Sequence, residues 1–380
     1  MALMTLQQTL MNTAKPGKSG VNTSLTIAGR QIGVGHPVYI IAEMSANHGQ
    51  NFEQALAIVR AAGECGADAV KLQTLTPEGI TLDCDNAYFR IGPGSPWTGR
   101  RLHELYAEAQ TPWEWHAPLK EEANRLGMAL FSSPFDHAAV DFLQTLDVPA
   151  YKIASFEIVD LPLIRCAART GKPLILSTGM AAEDEIRDAL ATAREAGATE
   201  IALLKCTSAY PALPQEMHLR AISTLSSVFD VPIGLSDHSM GSVVPIAAVA
   251  LGACIVEKHL SLSRDLPGPD RAFSLEPDEF REMVNVIRIT EKALGSSELK
   301  VSEKEAASQN FRRSLFVVED IRAGEPFSAD NVRIIRPGQG LAPRHLDSII
   351  GQISASDIKR GTPLQWELVA HRKEAASLTM

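Results

Sequence analysis

An α/β architecture, a closed (β/α)8 barrel followed by a small β-rich domain, is what this 380-residue sequence predicts. Three observations lead there. Short aliphatic runs alternate with longer segments of helical periodicity from residue 37 to 295. The runs are apolar on successive residues, so they need cover on both faces, as parallel strands do. Eight such units within about 250 residues suit a closed barrel better than an open sheet, and no Gly-rich dinucleotide turn follows the first run.

The predicted strands, in order, are "VYIIAEM" (38–44), "AVKLQ" (69–73), "MALFSS" (128–133), "YKIASF" (151–156), "PLILST" (173–178), "IALLKC" (201–206), "PIGLSD" (232–237) and "CIVEKH" (254–259). Between them "NFEQALAIVRAAGECG", "TPWEWHAPLKEEANRLG", "HAAVDFLQTL", "LPLIRCAARTG", "AAEDEIRDALATAREAG", "QEMHLRAISTLSSVF" and "SVVPIAAVALG" read as helices, and "PDEFREMVNVIRITEKALG" closes the set. Several carry apolar residues at three- and four-residue spacing and stop at Gly, which suits a helix C-terminus. The longest insertion, about residues 74–111, follows the second strand and should shape or cover a site. The segment 1–36 is expected to be an N-terminal extension, its first twenty residues a loose tail. Residues 37–295 form the barrel, 296–314 a polar linker and 315–375 the small domain, in which "DIRAG" (320–324) and "DIKRG" (357–361) resemble each other.

With 45% hydrophobic residues the chain is composed as an ordinary globular protein, and a formal charge of -9 argues against nucleic-acid or anionic-membrane partners. No run reaches the 18 or more apolar residues that span a bilayer. Five cysteines without a CxxC pair, most of them in apolar runs, point to reduced thiols and a cytoplasmic location.

Polar residues collect at the predicted strand ends: Glu43, Lys71 and Gln73, Ser132 and Ser133, Lys152 and Ser155, Thr178, Lys205 and Thr207, Asp237 and His238, Glu257 and His259. That rim is where barrel chemistry occurs. His238 and His259 end adjacent strands and offer two imidazole ligands for a divalent cation such as Mn2+, Fe2+ or Zn2+. Each stands beside an acidic residue that would fix its tautomer. Lys71, Lys152 and the rim serines suit an anion, or else one lysine is a Schiff-base nucleophile.

"IIAEMSANHGQNFEQALAIVRAAGECGADAVKLQT", "FSSPFDHAAVDFLQTLDVPAYKIASFEI", "LILSTGMA", "LLKCTSAYPA", "PIGLSDHS", "VEKHLSLSRDLPGPDRAFSLEP" and "IRPGQG" together resemble the N-acylneuraminate (sialic acid) synthase family, over about residues 35–370. Within it, "AEMSANH" and "TPWEWH" resemble the pseudaminic acid synthase branch. The resemblance implies a (β/α)8 barrel joined to an antifreeze-like (SAF) domain, in a homodimer whose small domain completes the partner's site. It implies condensation of phosphoenolpyruvate with a 2-acetamido sugar, for this branch 2,4-diacetamido-2,4,6-trideoxy-β-L-altropyranose, to give pseudaminic acid and phosphate. Legionaminic or N-acetylneuraminic acid synthesis is the neighbouring alternative, and a Schiff-base aldolase the alternative of another class. His238 and His259 would hold the metal, Mn2+ first and Co2+ or Mg2+ next. Glu43, Glu157, Asp270 and His238 would be catalytic. Lys71, Gln73, Ser133, Lys152, Ser155, Ser208, Tyr210 and Glu257 would bind substrate, with Arg336 reaching in from the other subunit. Ser208 stands where many neuraminate synthases carry a sugar-binding asparagine, and Met44-Ser45 replaces Ile-Gly, which favours a less polar sugar.

Overall fold

Backbone pairing closes eight parallel strands into a ring. The computed structural model describes residues 24–266 and 268–370, so the expected loose tail and the end of the small domain beyond 370 lie outside it. The chain divides between Gly295 and Ser296 into two compact units.

The first unit opens with a feature absent from the sequence expectation for residues 1–36. Strands β1 (Ser24–Ile27) and β2 (Arg30–Gly33) form an antiparallel hairpin. Its two-residue turn, Ala28-Gly29, takes positive φ at both positions, 49° and 81°, which matches the twist of tight hairpins. Leu25, Ile27 and Ile32 are buried in the same core as Tyr39, Ile41 and Ile201. The hairpin is tied down at the N-terminal ends of barrel strands: Thr26 N–H donates to Glu200 at 2.8 Å, and Arg30 pairs with Asp68, which also binds Arg288 at 3.0 Å. It therefore plugs the face opposite the polar rim.

The barrel strands are β3 (Tyr39–Glu43), β4 (Ala69–Thr74), β5 (Ala129–Pro134), β6 (Tyr151–Ile153), β7 (Leu174–Ser177), β8 (Ile201–Cys206), β9 (Ile233–Asp237) and β10 (Ile255–His259). They pair in chain order, and β10 returns to β3 to close the ring. Valine, isoleucine and leucine on both strand faces fit the two layers they must fill, the barrel interior and the helix contacts. The sixth strand is shorter than expected. After Ile153 the chain turns into a 3-10 segment, Ser155–Glu157, which brings Ser155 and Glu157 to the same side.

Register decides which rim groups meet. His259 lies opposite Glu43, Glu43 opposite Lys71, and Lys258 opposite Asp237. Gly234 is a barrel-strand position where a side chain would not fit, since a Cβ there would come within 2.6 Å of Ile255 and Leu204.

The second unit begins where a linker was expected, with a helix at Glu303–Ser308 whose Ser302 and Glu305 cap each other's backbone. Strands β11 (Ser314–Val317) and β12 (Val332–Ile335) pair antiparallel above a core of Leu315, Ile321, Phe327, Ile349, Ile358 and Leu364. The two similar pentapeptides face each other. Ile321 and Ile358 exchange both backbone hydrogen bonds, Asp357 accepts from Ala323 N–H, and Asp320 accepts from Arg360 N–H. Among the described residues no helix is long and apolar enough to cross a membrane.

Candidate active site

A cavity of about 430 Å³ opens at the C-terminal ends of the barrel strands. It is lined by Glu43, Lys71, Gln73, Lys152, Ser155, Glu157, Ser208, Tyr210, His238, Glu257, His259 and Asp270, twelve of the fourteen residues singled out from the sequence. Ser133 sits just behind, fully buried, and accepts from Lys71 Nζ at 3.4 Å. Arg336 belongs to the second unit, exposed at the end of β12.

The floor is a chain of alternating charges. Lys71 Nζ lies 2.6 Å from Glu43 Oε2 and 3.2 Å from Glu257 Oε1, and Lys152 Nζ lies 3.4 Å from the same Glu257 oxygen. Ser236 Oγ–H donates to that oxygen at 2.9 Å. Burial opposes ionisation of Glu257, but Lys152 and Lys71 outweigh it and bring the carboxyl down to about 2. Burial likewise opposes charge on Lys71, and Glu257 and Glu43 more than offset it, so this amine stays an ammonium. Lys152 has the weaker pairing, and burial lowers it, with Glu257 offsetting only part and the like charge of Lys71 adding to the shift. Glu43 is raised by burial, against the pull of Lys71.

The two histidines lie with ring centres 5.4 Å apart, against Phe273. Nδ1 of His238 is 2.9 Å from the Thr207 carbonyl oxygen, which can only accept, so Nδ1 carries a proton; burial opposes charge on this ring, but Cys206 and that carbonyl outweigh it and raise its pKa. His259 is held well below the ordinary imidazole range by burial, then by His238 and Lys71, and its buried Nδ1 has no hydrogen-bond partner among the described residues. Neutral imidazoles are the form that binds a cation: His259 is held so, and His238, its Nδ1 proton turned to the carbonyl, would offer Nε2 once that nitrogen is deprotonated, and in that respect the residues fit a metal. Among the described residues no group of three or more His, Cys, Asp or Glu forms a metal cage, so oxygen from water or substrate would have to supply the rest.

The acidic neighbours do not do what the sequence suggested. Asp237 pairs with Lys258 at 2.6 Å and accepts from Ser239 N–H at 2.9 Å, while Glu257 serves the lysines; a backbone carbonyl sets the tautomer of His238. For Asp237 the reason is the two-residue period of a strand, which sends it and His238 to opposite faces; Glu257 shares the face of His259 and is held by Lys71, Lys152 and Ser236 instead. Other rim residues turn away for the same reason. Ser132 bonds Thr74 Oγ1 at 2.6 Å, Thr178 donates to Leu204 O at 3.1 Å, and Lys205 donates to Cys206 O at 2.8 Å.

The insertion after β4 lines the outer part of the cavity with Ile80, Ile91, Trp97, Leu102, Leu105 and Tyr106. Trp97 packs against Tyr210 with ring centres 5.3 Å apart and donates Nε1–H to Pro269 O at 3.1 Å, which fastens the insertion to the loop bearing Asp270. Sequence reasoning placed this segment over the site but named none of its residues; its aliphatic and aromatic residues among polar ones were the available signal. It also passed over Cys206 and Ser236, which line the cavity, and the role of Ser45. "TPWEWH" is packing: Trp115 meets His48 and Phe52 edge-on, Trp113 stacks on Phe142, and His116 bonds Thr74 Oγ1 at 2.7 Å.

With this geometry in place, similarity to known proteins becomes informative. Residues 58–299 match the NeuB family and residues 312–370 the SAF domain. The chain belongs to the NeuB family. It is 45% identical over 329 residues to the pseudaminic acid synthase of Helicobacter pylori, covering 86% of this chain and 96% of that one. It is 37% identical over 335 residues to the N,N'-diacetyllegionaminic acid synthase of Legionella pneumophila, covering 87% and 94%. The crystal structure of an N-acetylneuraminic acid synthetase from Leptospira borgpetersenii superposes with a TM-score of 0.68 at 32% identity, over 77% of this chain and 96% of that one. The protein is accordingly a phosphoenolpyruvate-utilising transferase that forms a C–C bond with a 2-acetamido sugar and releases phosphate.

Two expectations follow. Lys258→Met should cost about 3–5 kcal/mol, because it strands the Asp237 carboxylate in the interior, whereas Asp237→Val/Lys258→Met should recover most of that loss. Denaturant unfolding of both variants measures it. The second concerns Glu157, whose carboxyl burial pushes up to about 7. A carboxyl with a raised folded pKa favours the fold at pH below its unfolded value near 4.5 and loses that contribution as pH rises through 7. Wild-type protein should therefore lose more stability between pH 5 and 8 than Glu157→Gln; equal slopes in thermal unfolding would contradict the shift.

Proposed function

We propose that this chain is a pseudaminic acid synthase, condensing phosphoenolpyruvate and water with 2,4-diacetamido-2,4,6-trideoxy-β-L-altropyranose in its open aldehyde form, in the cytosol. The observation that favours a 6-deoxy, diacetamido sugar over N-acetylmannosamine is the apolar outer wall built by the insertion. A 6-methyl and two acetamido methyl groups suit such a wall, while a sugar with hydroxyls there leaves polar groups without partners. The higher identity to the pseudaminic than to the legionaminic acid synthase points the same way.

Lys71 and Lys152 hold the carboxylate and phosphate of phosphoenolpyruvate, assisted by Gln73, Ser133, Ser155 and Ser208. His238 and His259 would hold a divalent ion, Mn2+ first and Co2+ or Mg2+ next, which supplies Lewis-acid polarisation of the sugar aldehyde. C3 of the enol attacks the aldehyde carbon, and the positive charge that develops at C2 is sheltered by Glu43 and Glu257. Water adds to C2, and Glu157, with a carboxyl titrating near 7, is suited to take its proton. The C2–O bond to phosphate then breaks, phosphate leaves, and the ketone forms. Asp270 and Tyr210 lie on the sugar side. Lys71, held charged by two carboxylates, is a poor Schiff-base nucleophile, and in this reading Lys152 acts as a charge toward phosphoenolpyruvate.

Phosphate release with purified protein tests the substrate. The diacetamido-trideoxy-altrose should be turned over at least about tenfold more efficiently than the legionaminic precursor or N-acetylmannosamine. Preference for either of the others would replace the sugar named here.

Arg336 is exposed and makes no side-chain hydrogen bond or ion pair among the described residues, which leaves its guanidinium free to reach the barrel of a partner in a homodimer. Mixing Arg336→Ala with His259→Ala, each inactive alone, should restore activity at up to about half the sites of the mixed dimers, because one barrel then has an intact histidine pair and an intact arginine. Absence of recovery after verified subunit exchange would place Arg336 outside the partner's site.

A further inference from the structure

We propose that Ser45 is a positioning residue that holds Glu43 and Asp270 in fixed relation across the cavity, and that its unfavourable backbone is retained for the hydroxyl it brings. The inference rests on the reading above, in which Glu43 shelters the reacting C2 and Asp270 lies on the sugar side of the site.

Ser45 is fully buried and lines the cavity, at the start of the 3-10 turn Ser45–His48 that follows β3. Its φ of 47° lies in the left-handed region, where glycine is at ease and a residue with a Cβ is not. Its backbone N–H donates to Glu43 Oε1 at 2.7 Å, a contact that any residue except proline would make. Its hydroxyl donates to Asp270 Oδ2, which also accepts from Ala46 N–H at 3.5 Å. What serine adds over glycine at this position is therefore the hydroxyl, and the hydroxyl is committed to Asp270.

The turn does not need that bond to stay in place. Asn47 Nδ2 donates to Leu260 O and to Ser274 Oγ, both at 2.9 Å, and Arg271 Nη2 donates to Asn47 O at 2.8 Å. Three other contacts already fasten the turn to the segment that carries Asp270, and this separates a role in folding from a role in the site. Strained non-glycine residues at functional sites commonly persist for what the side chain does there.

The test compares Ser45→Gly with Ser45→Ala in the full-length protein, on whichever 2-acetamido sugar the wild type turns over, so that a different preferred sugar corrects the substrate above without disturbing this comparison. Ser45→Gly removes the hydroxyl and relieves the backbone; its Tm should equal or exceed that of wild type. Its kcat/KM for the sugar should fall about 10- to 100-fold, with KM for phosphoenolpyruvate unchanged. Ser45→Ala should show the same kinetic loss with a lower Tm. Wild-type kcat/KM in Ser45→Gly would overturn the proposal and leave Ser45 as a turn residue. An equal loss of phosphoenolpyruvate binding would overturn it too, as a general disturbance of the cavity.

Discussion

Four ionisable side chains buried inside a closed barrel are the constraint around which the rest of this structure is arranged. Glu43, Lys71, Lys152 and Glu257 are all nearly excluded from solvent, and charges so placed must be paired or they cost several kcal/mol each. The ring of strands makes the pairing possible, because register sets Glu43 beside Lys71 and barrel closure sets both β10 and β4 beside β3. The pairing is uneven. Lys71 has two carboxylates within 3.2 Å, whereas Lys152 has only a share of Glu257 at 3.4 Å. An anion entering the cavity would gain most at Lys152, the lysine with the weaker pairing.

Much of this was legible in the sequence because parallel strands are apolar on both faces and helices between them end at glycine. All eight strands were found for that reason, and β6 was overextended because "ASF" continues an apolar run through what is a 3-10 turn. The hairpin at Ser24–Gly33 was missed although "LTI" alternates as its buried and exposed residues do. It was hidden by the low-information segment before it. Site membership was legible to the level of the strand end and no further. Whether Asp237 or His238 faces the cavity depends on the parity of the pleat, and a single residue of uncertainty in the end of a strand inverts it. The same parity sent Lys258 and Lys205 outward and left Glu257 for the lysines.

Loop residues were harder to read for a different reason. The roof of the cavity is made where Trp97, from the insertion after β4, meets Pro269, from the loop after β10, across the turn that follows β3. Contacts between loops of non-neighbouring strands leave no periodic trace in a sequence. They nevertheless fix Tyr210 and Phe273 around the histidines, through ring contacts of 4.4 Å and 5.0 Å to His238 and His259 respectively.

The two kinds of element divide the chemistry between them. Charged and imidazole groups sit on strand ends, whose positions are set by the ladder and tolerate little displacement, so they suit the step that all members of a reaction class share. The apolar wall sits on an insertion, which can change length and side chains without disturbing the ladder. The relatives named above differ in the sugar acid they make, and in this chain the part of the cavity free to vary is the part that would meet the distal end of the sugar. Ser45 joins the two: it follows a strand, bonds a strand-end carboxylate through its backbone and a loop carboxylate through its side chain, and so ties the fixed geometry of the ladder to the loop that bears Asp270.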